Sequence, residues 1–296
     1  MPRAENELRY AKIASLWPRG DIVNISYSPA LDLDIKIPLA FIATSGQNTI
    51  GFVEELAQTL VLESGELRRS DAPEIELDLA APLSQPDNFV FLPGTSLAAA
   101  LAKVGRQRAY AAPPSTDERS MAFTERRGPE SKARLRAPAA NEDGASSVSH
   151  SSRDSANQNS FREQLLARDG MCYFTGTSGP SCVPAHIAPC SRIDVYEELL
   201  DDAFQFDAEH GILLNRTLHR EYDKLEWSLY YKDDQYFFHC FNAKKDFLVK
   251  HHGSSAKVAD MRCLAPPSPA LCKWHYTQCV LKTVRGYSYG MAQNAF

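Results

Sequence analysis

The chain has 296 residues, 44% hydrophobic and 10% aromatic, enough for two modest domains with cores of their own. A formal net charge of −5 and a pI near 5.9 exclude a globally basic protein, so any contact with a polyanion must come from a local Lys/Arg cluster. The start, Met1 to Leu8, lacks a basic stretch followed by an apolar core, and Ile37 to Ala43 is too short to span a bilayer. The expectation is an intracellular protein of nucleus or cytoplasm with no membrane partner.

Ile22 to Tyr27 and Leu31 to Ile37 alternate apolar and polar residues, the pattern of half-buried strands. Thr49 to Glu63 sets Ile50, Val53, Leu56 and Leu60 on one face and predicts an amphipathic helix. Asn88 to Leu92 predicts a third strand, and Leu97 to Arg108 a helix by propensity. Residues 1–110 contain neither His nor Cys, so this small mixed α/β unit reads as an accessory domain. From Ala111 to Asn159 large apolar residues nearly vanish, which predicts a disordered linker over 111–159. Its cluster of Arg126, Arg127, Lys132, Arg134 and Arg136 reads as a solvated face.

Ser160-Phe-Arg-Glu163 fits a capping box that opens a helix burying Phe161, Leu165 and Leu166 and ending at Asp169-Gly170. Met171 to Phe174 looks like a short strand, and Tyr196, Leu199, Leu200 and Phe204 keep helical spacing. Trp227 to Tyr231 and Tyr236 to Phe241 predict a hairpin. Leu271 to Leu281 predicts a last helix whose Trp274 and Tyr276 seal the core. Seven cysteines without a CxxC pair read as free thiols, and the spacings of Cys172, Cys182 and Cys190 do not suit a zinc knuckle.

His186 follows a short apolar segment, while His219 and Asp223 lie four residues apart on a predicted helix and so share one face. An imidazole can take a proton from water, and a His/Asp pair can hold a divalent cation beside a phosphate. Thr217 is the candidate cap of that helix, whose positive end adds attraction for phosphate. Taken singly, each residue has a structural reading: a satisfied strand-end histidine, or a surface pair one turn apart.

The order Arg168-Asp169-Gly-Met-Cys172-Tyr-Phe-Thr175-Gly176, Ala185-His186-Ile187, His210-Gly-Ile-Leu-Leu214 and Leu218-His219-Arg-Glu-Tyr-Asp223, closed by Trp274 to Gly286, resembles the HNH endonuclease family. It is closest in pattern to the fungal-type subgroup with AHI and LHxxFD-like motifs, and the likeness spans about residues 160–286. The resemblance implies an α+β protein: a C-terminal ββα-metal (His-Me finger) HNH domain over 160–290, joined to the N-terminal unit by the linker. It further implies His186 as general base, with His219 and Asp223 as ligands of one divalent ion, Mg²⁺, Mn²⁺ or Zn²⁺. Arg216, Arg220 and Lys224 flank the predicted helix and are the candidate phosphate contacts, with a solvated face as the equal alternative; the resemblance implies DNA as first substrate and RNA as second. His210 stands where the family has asparagine, nine residues before His219, and would add an imidazole to the catalytic group. Ala185 precedes the base where other HNH branches carry a metal-binding aspartate. These departures leave a second reading, a catalytically degenerate HNH domain that binds nucleic acid or protein.

Overall fold

In the computed structural model, which describes residues 21–27, 33–60, 64–94, 150–256 and 264–284, the chain is a mixed α+β protein of small sheets and helices. Strand β1 (Ile22–Tyr27) turns Val23, Ile25 and Tyr27 inward, as its alternation requires. It pairs antiparallel with β2 (Leu33–Pro38) and parallel with β4 (Asn88–Pro93), and β4 pairs antiparallel with β3 (Gly65–Arg69). The sheet order is β2-β1-β4-β3. Helix α1 (Leu39–Ala43) leads towards α2 (Ile50–Thr59), whose first turn is capped by the Thr49 hydroxyl accepting from the Phe52 amide. The predicted helix at 97–108, the linker at 111–149 and its basic cluster lie outside the described residues.

The second half runs α3 (His150–Asp169), β5 (Cys182–His186), α4 (Ile193–Leu200), β6 (Gly211–Asn215), α5 (Arg216–Asp223), β7 (Trp227–Lys232), β8 (Gln235–Cys240), α6 (Asp246–Val249) and α7 (Pro269–Thr283). Two expectations fail here. Helix α3 begins at His150 rather than Ser160, so residues 150–159 are helix and not linker. Ser160 therefore lies inside α3, where its hydroxyl accepts from Gln164 Nε2 at 3.4 Å, and it caps nothing. Met171 to Phe174 forms a turn tied by a single bridge, Met171 to Ser178, because the chain doubles back there against the end of α3.

Two buried clusters hold the molecule. One gathers Phe161, Leu165, Cys172, Ile187, Leu213, Leu218, Tyr222, Trp227 and Phe238 around the second half. The other fills the N-terminal sheet and α2, yet it also contains Tyr230, Phe241, Tyr276, Cys279, Val280 and Leu281. Tyr276 thus belongs to the core shared with the first half and not to the one behind the predicted site. The two halves are joined through that shared core.

Two histidines stitch the same interface. His239 is fully buried, with Nδ1 2.9 Å from the Tyr276 hydroxyl and Nε2 2.8 Å from the Ser45 carbonyl. His252 accepts the Cys240 amide at Nδ1 (3.0 Å) and donates from Nε2 to the Phe41 carbonyl (2.8 Å). A neutral ring with its proton on Nε2 satisfies each set, and protonation of His252 would place a second donor against the Cys240 amide. Gly253 completes the seam. At φ +74° it lies so close to the Thr44 carbonyl that a Cβ there would fall 1.9 Å from the oxygen.

Arg168 and Asp169 fasten α3 to the rest. Both are almost wholly buried and form a two-point ion pair, Nε to Oδ1 at 2.5 Å and Nη2 to Oδ2 at 3.0 Å. The guanidinium also donates to the carbonyls of Ala208 (2.5 Å), Gly211 (2.7 Å) and Ala265 (3.2 Å), while Asp169 accepts the Leu213 amide at 2.8 Å. Burial works to raise the Asp169 carboxyl, and the bonds from Arg168 oppose it.

Replacing Arg168 by Met leaves a buried carboxylate without its counter-ion and takes one hydrogen bond from each of three carbonyls, so urea unfolding should show a loss of about 3–5 kcal/mol; a loss below about 1 kcal/mol would contradict the stapling role. Burial lowers both His239 and His252 below the ordinary histidine value. Each is therefore neutral when folded and takes up a proton on unfolding once the pH falls below about 6.5. Stability should be full above that pH and fall by up to about 1.4 kcal/mol per pH unit per histidine beneath it. Urea midpoints at pH 7, 6 and 5 check this, with a smaller slope in His239→Gln; a flat profile would contradict it.

Candidate functional site

Strands β5 and β6 pair antiparallel from Cys182↔Asn215 to His186↔Gly211, and α5 follows β6 directly. The apolar run Gly211-Ile-Leu-Leu214 is buried along its length, as a strand packed on both faces must be. Asn215 turns the chain into the helix: its Oδ1 accepts the Leu218 amide at 2.8 Å and its Nδ2 donates to Thr175 Oγ1 at 3.2 Å. Asn215 is thus the cap, and Thr217 is an exposed first-turn residue. Sequence reasoning passed over Asn215, although an Asn just before a helical pattern is itself a start signal.

His186 closes β5 and is half-buried. Phe161 of α3 stacks on its ring at 4.2 Å and 19°, and Phe206 meets it edge-on at 5.4 Å and 86°. Its Nε2 is sealed from solvent without a hydrogen-bond partner. Burial pulls the imidazole down to about 4, aided by the charges of His210 and His219 and opposed by the Gln205 carbonyl. Gly211, opposite His186 in the ladder, must lack a side chain, since a Cβ would sit 2.3 Å from the Phe161 ring.

His219 and Asp223 sit one turn apart on the outer side of α5, with Nε2 to Oδ2 at 3.5 Å; His219 is 30% and Asp223 61% exposed. Desolvation raises the Asp223 carboxyl, and His219 opposes that shift. His210 and His219 both lie close enough to His186 to act on its ring electrostatically. No group of three or more His, Cys, Asp and Glu among the described residues could hold a metal ion.

His210 is buried, 1% exposed, beneath Tyr196, whose ring meets it at 5.2 Å and 71°. Its backbone carbonyl accepts the Ile187 amide at 2.9 Å and extends the pairing beyond His186. Burial lowers the ring below its usual value against the pull of Glu209, Asp207 and Asp202, and Nδ1 is buried without a partner. The residue is thus next to His186 but walled off from solvent.

The three cations divide. Arg220 pairs with Glu221 at 2.8 Å, and Lys224 lies 3.6 Å from the same carboxylate. Burial works to raise Glu221, but its bonds to Lys245 and Arg220 outweigh that and pull it down to about 2. Arg216, exposed in the first turn of α5, has no carboxylate at ion-pair distance among the described residues. The segment from α4 to β6 is acidic, with Asp194, Glu197, Glu198, Asp201, Asp202, Asp207 and Glu209 between positions 194 and 209.

The remaining features of the likeness are structural. Cys172 is wholly buried, and the cysteines of the described residues are free thiols. Trp274 packs beside the second core with the Arg192 guanidinium 5.5 Å from its ring centre. Comparison with protein-family models, with curated proteins and with solved structures finds no match for the chain.

Proposed function

We propose that the protein is a metal-dependent endonuclease that hydrolyses phosphodiester bonds, of DNA first and RNA second, by a one-metal HNH mechanism. The observation that carries this reading is the succession β5-β6-α5, with an imidazole at the end of the first strand and an imidazole–carboxylate pair on the helix. In this reading that succession is the ββα-metal unit.

His219 and Asp223, one imidazole and one carboxylate open to solvent, would hold a divalent ion weakly. When bound, such an ion polarises the scissile phosphate and stabilises the leaving oxygen. The chain's own groups do the rest. His186 is neutral at pH 7 and takes the proton of the attacking water. Arg216 and the amides at the start of α5 attract the phosphate, and Arg220 and Lys224 contribute less because Glu221 already holds them.

The second reading, a degenerate domain that binds without cutting, is favoured by the sparse donor set and by the burial of His210 at the asparagine position. A plasmid-nicking assay across Mg²⁺, Mn²⁺ and Zn²⁺ separates the two. Wild type should cut in at least one metal, and His186→Ala should lose about 100-fold or more. Equal background in both proteins overturns the nuclease. Because His186 acts unprotonated and its value lies near 4, cutting at saturating metal should persist at pH 5.5 and fall as the pH drops through about 4. An acid limb centred at 6.5 would contradict the burial seen around the ring.

A further inference from the structure

The segment between α4 and β6 has a feature that neither the strand pair nor the helix requires. After Asp201, in the left-handed region at φ 53°, residues 202–206 adopt no regular secondary structure, yet they reach back to cover His186. Phe206 meets the imidazole edge-on, the Gln205 carbonyl acts on the same ring, and Phe204 leans on Phe206 at 5.7 Å.

One side chain clamps this strap to the body. Gln164, five residues before the end of α3, donates from Nε2 to the Phe206 carbonyl at 3.1 Å. It also accepts the Ala208 amide on Oε1 at 3.1 Å. An amide is the side chain that offers both polarities at one tip, and here both are spent on backbone groups two residues apart. The same helix supplies Phe161 to the other side of the imidazole, one turn earlier. His186 is therefore gripped between a ring carried by α3 and a strap fastened to α3.

We propose that Gln164 is a positioning residue for His186: by clamping the 205–208 strap it holds Phe206 and the Gln205 carbonyl against the imidazole and keeps Nε2 sealed. A general base must be held in reach of its water to act, and loss of orientation costs rate without costing affinity. The base role of His186 rests on the reading above, whereas the clamp itself is a geometric claim that can be checked without it.

The experiment treats the full-length chain with diethyl pyrocarbonate and follows each histidine by peptide mass, in wild type, Gln164→Ala and Gln164→Glu. His219, partly open, serves as the fast reference, and His239 and His275, both buried, as the slow ones. Gln164 supplies two of the hydrogen bonds that hold the strap, beside that of Arg168 to the Ala208 carbonyl, so Gln164→Ala should speed modification of His186 about tenfold or more relative to His219. Gln164→Glu keeps the acceptor for Ala208 but lacks the donor for Phe206, and should fall between. In the nicking assay Gln164→Ala should lower kcat with KM unchanged. An unaltered His186 rate in both variants overturns the clamp, and so does equal acceleration at His239 and His275 in both, since that marks general loosening. Faster modification of His186 alone, with no cutting by wild type in any metal, upholds the clamp and sinks the nuclease.

Discussion

The buried pair Arg168–Asp169 is the constraint on which the site depends. It lies at the last turn of α3 and reaches the carbonyls of Ala208 and Gly211 and the amide of Leu213, residues that bracket the start of β6. Without it, α3 would lack its polar attachment to β6, and Phe161 and Gln164 would lose their fixed distance from His186. A pair of this kind contributes little net stability over an apolar substitute, but removing one partner is expensive, so it specifies one docking of the helix. The position of the imidazole is thus decided two turns away from it.

The first half of the molecule enters the same chain of dependence from the other side. Its turn at Phe41 to Gly46 meets the loop at His252-Gly253, and its core continues through Tyr230 into Tyr276 and Cys279 of α7. Helix α7 in turn carries His275, whose ring lies flat on Tyr222 at 3.7 Å and 6° and whose Nε2 faces the Tyr222 carbonyl at 3.3 Å. Tyr222 is the residue before Asp223. The first half therefore packs on the helix that backs α5.

Much of this was legible in the sequence wherever a strong period acted. The alternation in Ile22 to Tyr27, the apolar run Ile212 to Leu214 and the hairpin at 227–240 all match strands. Strand β3 was not legible, since Gly-Glu-Leu-Arg-Arg offers one apolar residue, Leu67, and forms only because β4 presents an unpaired edge. The start of α3 was misplaced because Ser160 and Glu163 have capping-box spacing by coincidence. At the site, residue types and their order indicated His186, His219 and Asp223. The strap could not be read, because Gln164 and Phe206 are 42 positions apart and meet only after α3 has docked.

The proposal's central claim is that His219 and Asp223 take a cation within reach of His186. Paramagnetic broadening by Mn²⁺ of the histidine ring resonances tests it without asking for catalysis. Substoichiometric Mn²⁺ should broaden His219 first and His186 next, leave the remote His239 and His252 sharp, and lose its effect in Asp223→Asn. Broadening that spares both His186 and His219, or that persists undiminished in Asp223→Asn, would contradict a shared cation site at this end of the strand pair.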